Sequence, residues 1–103
     1  MKAHVAVLPL AVLGLASMPV WSNADLARSK SCLACHSVDK KIIGPAFKDV
    51  AARYAGNSGA VDMLAAKIVN GGSGVWGAVP MPANPSVTPQ QARQLAEWVL
   101  GTK

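Results

Sequence analysis

Cysteine, histidine and aromatic side chains are scarce in this chain of 103 residues, with two Cys, two His, one Phe and one Tyr. One histidine, His4, falls at the extreme N-terminus. Beyond it the chain offers only Cys32, Cys35 and His36 as strong zinc donors, one short of the four a structural zinc site takes. No apolar run reaches the ~20 residues of a spanning helix. No long basic run exists, which argues against a nucleic-acid partner. Internal repeats and low-complexity tracts are missing too, so one domain is the economical reading. No segment sustains the alternation of a strand, and this leaves an all-α fold.

What is present begins with a leader. Lys2 opens it, and an apolar run from Ala3 to Leu15 follows, broken only by His4, Pro9 and Gly14. Ser22-Asn23-Ala24 then supplies small side chains where a signal peptidase reads. The expected division is a signal peptide over 1–24 and a mature domain over 25–103, with cleavage after Ser22 as the alternative. Such a chain is exported and keeps no stable membrane insertion. The 79 residues from Asp25 to Lys103 carry nine basic and five acidic side chains, a net charge of +4. A domain this small builds little core and usually needs a staple: a disulfide, a metal or a cofactor. Arg28, Lys30, Lys40, Lys41, Lys48 and Arg53 crowd the first part of it. They read as a solvated surface, or as a weak field steering an acidic partner.

Helical spacing marks the elements. Leu26 to Ser31 forms a short helix before the cysteines. Gly44-Pro45 breaks the chain, and Pro45 suits the first turn of a helix carrying Phe47, Val50, Ala51 and Tyr54, which Gly56 and Gly59 end. Val61, Leu64, Ala65 and Ile68 make a second stripe, stopped by Asn70-Gly71-Gly72. The stretch 71–89 is rich in Gly and Pro and reads as a long loop, a feature that is usually functional in a compact domain. Thr88-Pro89-Gln90-Gln91 is a capping box with Pro at the first helical position. It starts a last helix with Ala92, Leu95, Ala96 and Val99 on one face.

Cys32-Leu33-Ala34-Cys35-His36 is the pattern of covalent c-type haem attachment. Residues three apart share a helical face. Cys32 and Cys35 are therefore expected to form thioethers with the two vinyl groups, and His36 to ligate the iron. A thiol–disulfide exchange site is the main rival. It normally follows a strand, and no strand pattern precedes Cys32. A structural disulfide is the third reading.

Elimination narrows the second axial ligand. With His4 in the leader, ligation by two histidines is excluded. Met63 lies within a helical stripe, where methionine commonly fills core. Met81 stands between Pro80 and Pro82, which restrain the backbone on both sides. Met81 is the expected ligand. Sulfur opposite histidine raises the reduction potential and leaves no open position for oxygen or peroxide. A haem enzyme or gas sensor needs an open site and usually a distal acid–base residue, and no second mature histidine is at hand.

These segments, with Gly44-Pro45-Ala46, Asp49-Val50-Ala51-Ala52, Gly74-Val75-Trp76-Gly77, Pro80-Met81-Pro82 and Ala96-Glu97-Trp98-Val99-Leu100, resemble the small bacterial class I cytochromes c of the c-551/c-552 type. The resemblance implies a few short helices around one covalent haem c. It implies that the Pro45 carbonyl accepts the His36 N–H, and that Trp76 donates to a haem propionate. It further implies that Asn84 hydrogen-bonds near the Met81 sulfur, and that Lys67 falls where some relatives place an arginine near a propionate. Relatives often have proline where this chain has Ala83. A monomeric periplasmic electron carrier follows, not an enzyme. It would take electrons from a cytochrome-containing complex and pass them to a nitrite reductase, an oxidase or a peroxidase. Leu33, Ala34, Ile42, Ile43, Val79, Pro80, Pro82 and Ala83 are expected to form an apolar patch at one haem edge. Lys30, Lys40, Lys41 and Lys48 would rim it.

Overall fold

The computed structural model describes residues 2–7, 9 and 23–103. Most of the leader expected over 1–24, and its Ser22 boundary, lie outside the described residues. The Ala24 boundary falls within the first helix. Among the described residues, no helix is long and apolar enough to cross a membrane.

The described domain is all-helical: α1 Asn23–Ser29, α2 Phe47–Arg53, α3 Ala60–Asn70 and α4 Pro89–Leu100. α1 starts earlier and stops sooner than the sequence suggests. Asp25 favours its first turn and pairs with Arg28 at 3.1 Å. The helix cannot run to Ser31, because Ser31 adopts a left-handed conformation (φ 63°) that turns the chain into Cys32.

Pro45 also differs from expectation, standing one residue before the Ala46 N-cap of α2 rather than in the first turn. The leading N–H groups of α2 are satisfied by the preceding loop. Phe47 donates to Ser37 O at 2.9 Å, and Lys48 to Val38 O at 3.1 Å. The Pro45 carbonyl is thereby left outside the helix.

α4 organises the interior and packs on the other three helices. Its Thr88 hydroxyl accepts from Gln91 N, and the Gln91 side chain accepts from Thr88 N, both at 3.1 Å. This is the capping box the sequence predicts, with Pro89 at the first position. Ala92, Leu95, Ala96 and Val99 are buried on one face. Leu95 is the largest side chain fully enclosed, and its burial contributes about 1.5–3 kcal/mol. One core cluster joins α1, α3 and α4 through Leu26, Ala27, Ala65, Leu95 and Ala96; Phe47, Val50 and Val99 form a second. Cys32 packs against both. Along α3, however, Leu64 and Ile68 are only half-buried, because they face a cavity as well as the core.

The loop after α3 returns close to its own start. Gly72 and Met81 exchange backbone hydrogen bonds of 3.0 and 2.7 Å. A Cβ at Gly71 would lie 2.6 Å from Met81 O and 2.9 Å from Ala83 N, so only glycine lets the two segments pass this closely.

Candidate functional site

Helix packing leaves a cavity of about 320 Å³ on one side of the domain. It is bounded by the 32–36 turn, the 41–45 loop, α3 and the 72–82 loop. Seven of the eight candidate site residues line it together: Cys32, Cys35, His36, Pro45, Lys67, Trp76 and Met81; Asn84 does not. Met63 is on α3, half-buried, and does not contribute to the lining.

Cys32–Ala34 forms one turn of 3-10 helix. This winding has three residues per turn and eclipses positions three apart, which brings Cys32 and Cys35 onto one side. Cys32 O accepts from Cys35 N at 3.3 Å and from His36 N at 3.0 Å, fixing the imidazole one step beyond the second thiol. Both thiols are half-buried. Burial pushes the Cys32 thiol up from its ordinary value; a backbone hydrogen bond offsets this in part, and Cys35 adds to the rise. Disulfide exchange works through a thiolate and favours the opposite shift.

The His36 ring is held from three directions. Its Nδ1 lies 2.8 Å from Pro45 O, and since that oxygen only accepts, Nδ1 carries the proton. The lone pair is then on Nε2, free to ligate a metal. Phe47 stacks on the ring at 4.9 Å between centroids and 21° between planes, and Trp98 meets Phe47 edge-on at 5.3 Å. The Gly44 backbone closes the third side, where a Cβ would collide with His36 Cε1 and lie 2.7 Å from Nδ1. Gly44 N and Ile43 N both donate to Cys35 O, at 2.8 and 3.2 Å, which locks that loop to the cysteine turn. The sequence pairs Pro45 with His36 through the family resemblance alone. The parts played by Gly44 and Phe47 are not visible in it, because neither spacing nor residue type announces a ring contact.

Met81 faces the cavity from the loop, held by its backbone exchange with Gly72. Asn84 Nδ2 donates to Ile68 O at 2.9 Å and approaches Pro82 O at 3.5 Å, tying the segment after Met81 to the end of α3. Lys67 lines the cavity, and its Nζ lies over Gly72. Trp76 lines the cavity and is 40 % exposed, so it stands at the mouth.

The donor set fits a largely apolar group with an anionic edge. Two thiols and one Nε2 come from the 32–36 turn, a thioether comes from the 72–82 loop, and aliphatic and aromatic side chains line the remainder. Among the described residues, the charged members of the lining are Lys41 and Lys67, with no carboxylate. A porphyrin with two propionates meets these conditions.

Leu33, Ile42, Ile43, Val75 and Val79 are exposed around this face, Ile43 at 57 % and Val79 at 66 %. Lys40, Lys41 and Lys48 are exposed as well. Lys30 departs from the expected rim. Its Nζ donates to Ser86 O at 2.8 Å, so the ammonium is committed to a tie between the end of α1 and the segment before α4.

The family model for cytochrome c matches residues 24–103. Over 94 residues the chain is 53% identical to cytochrome c-552 of Hydrogenobacter thermophilus, covering 91% of this chain and 94% of that one. Over 82 residues it is 60% identical to cytochrome c-551 of Ectopseudomonas mendocina, covering 80% and 99%. The crystal structure of wild-type Nitrosomonas europaea cytochrome c552 superposes with a TM-score of 0.76 at 51% identity, covering 78% of this chain and 99% of that one.

Proposed function

The chain belongs to the cytochrome c family, and from that premise we propose that it is an exported, periplasmic electron carrier with His36 and Met81 as axial ligands. The family's members are electron-transfer proteins, not enzymes, and its c-551 and c-552 members carry one covalently bound haem c. The observation that carries the ligand assignment is the convergence of Cys32, Cys35, His36 and Met81 on one cavity.

When bound, the haem supplies a metal centre that changes oxidation state by one electron. The chain's own residues do the rest. Cys32 and Cys35 hold the group covalently, so it is not lost between encounters. Pro45 O fixes the His36 tautomer and strengthens Nε2 as a donor. Phe47 and Gly44 restrain the ring's tilt. Met81 would present its sulfur from a backbone stiffened by two prolines and the Gly72 exchange. Trp76 and Lys67 are assigned to the propionates, through an indole N–H donor and a positive charge. One Asn84 N–H hydrogen is taken by Ile68 O. The other lies nearest Pro82 O, at 3.5 Å, so Asn84 would steady the segment beside the Met81 sulfur. With His36 and Met81 both holding the metal, oxygen and peroxide would find no open position.

A haem stain on a denaturing gel tests the attachment. Wild-type protein should stain; Cys32→Ser or Cys35→Ser should abolish stable holoprotein or leave a single thioether, and the double variant should not stain. Stain that survives both substitutions would falsify thioether attachment at this motif.

Electrons are proposed to cross at the exposed apolar face around Ile43 and Val79, in a small transient interface. The donor is a cytochrome-containing complex, and the acceptor a nitrite reductase, oxidase or peroxidase. Lys40 and Lys41 steer an acidic partner to that face. Ile43→Glu should slow electron transfer to the partner at least tenfold at unchanged reduction potential. An unchanged rate assigns the crossing to another face.

A further inference from the structure

The turn that carries Trp76 has little to hold it. Gly74 and Gly77 both have positive φ (96° and 117°), and Gly74 N donates to Gly77 O at 3.0 Å, closing a tight turn with Val75 and Trp76 at its tip. Seven residues of this stretch, Gly72 to Ala78, are exposed. Arg53, at the last position of α2, lies across the gap. Its guanidinium carbon sits 5.1 Å from the Trp76 ring centroid and 5.9 Å from that of Tyr54. Both lie within the range of a cation–π contact. Tyr54 is itself half-buried against the Phe47–Val50–Val99 cluster. A continuous path therefore runs from the core through Tyr54 and Arg53 to the indole.

We propose that Arg53 is a positioning residue for Trp76, clipping the tip of the 72–80 loop to the end of α2 and so holding the indole N–H at the cavity mouth. The clip itself needs no cofactor; only the group that the indole meets, a propionate, rests on the haem reading. Arginine suits the task better than lysine. Its planar, weakly hydrated guanidinium stacks on aromatic faces, whereas an ammonium is a compact and strongly hydrated charge. Arg53 also lies at a helix C-terminus, where a positive charge is favoured. Twenty-three positions separate it from Trp76, so the pairing is a product of the fold alone.

Hydrogen exchange of the Trp76 indole N–H, followed by NMR in the reduced holoprotein, tests the assignment. Trp98 serves as an internal reference, since it packs edge-on against Phe47 and, among the ring contacts of the described residues, has none with Arg53 or Trp76. In Arg53→Met the Trp76 N–H should exchange ~2–5-fold faster, the span expected for loss of an exposed cation–π contact. Arg53→Lys should give a smaller rise, and Trp98 should not change in either variant. Arg53→Met should lower the melting temperature less in a Trp76→Leu background than in wild type, because only the Tyr54 contact and the charge at the helix end then remain to be lost. Equal Trp76 exchange in wild type and Arg53→Met overturns the proposal. An equal rise at Trp98 overturns it too, because general loosening then replaces the clip. The same samples report haem through their visible absorption, so a failed clip and a failed haem assignment look different.

Discussion

Replacing Gly44 with alanine drives a methyl group into the His36 imidazole, and nothing nearby yields cheaply. The ring is stacked on Phe47 behind and hydrogen-bonded to Pro45 O at its edge. Either the ring tilts and loses the 2.8 Å contact, or the 41–45 loop lifts off Cys35 O. Overpacking of this kind typically costs about 1–3 kcal/mol. Gly44→Ala should therefore lower the holoprotein's melting temperature and shift its reduction potential, because the imidazole orientation changes with the strain. A variant matching wild type in both melt and potential would mean that the ring has room the structure does not show. The same residue marks a limit of sequence reading. Glycine before proline announces a break in the chain, but its contact with an imidazole eight positions earlier does not follow from spacing.

At the scale of elements, α4 is the helix most plainly written in the sequence. Its capping box, Pro89 and the Ala92–Leu95–Ala96–Val99 stripe are all local signals, and all appear as expected. Thr88→Ala removes the side-chain acceptor of Gln91 N and should cost about 1 kcal/mol. For a domain of this size that is a drop of roughly 4–8 °C in melting temperature. An unchanged melt would assign the start of α4 to packing alone. Boundaries set by tertiary contacts were less legible. α1 stops at Ser29 because the chain must turn at Ser31 to present Cys32. Pro45 stays outside α2 because residues 37 and 38 supply the acceptors that the helix start needs. Lys30 read as a rim charge, yet it reaches Ser86, 56 positions away. Each of these depends on partners distant in sequence.

On the scale of the whole molecule, the fold is a frame around a cavity that its own core does not fill. Two modest clusters of buried residues meet at Cys32, and α3 turns Leu64 and Ile68 partly toward the cavity. The cavity lining was legible wherever chemistry restricts residue type: one Cys-x-x-Cys-His, one histidine beyond His4, and one methionine braced by prolines. The rest was illegible wherever the fold recruits ordinary residues, as with Phe47, Gly44 and Arg53. A closed, one-electron centre requires that Met81 complete the coordination begun by His36. The absorption spectrum of the ferric protein tests this most directly, through its sulfur-to-iron charge-transfer band. The account predicts that wild type and Met63→Leu show the band, and that Met81→Ala loses it together with part of its reduction potential. A band that survives Met81→Ala, or disappears in Met63→Leu, would contradict it.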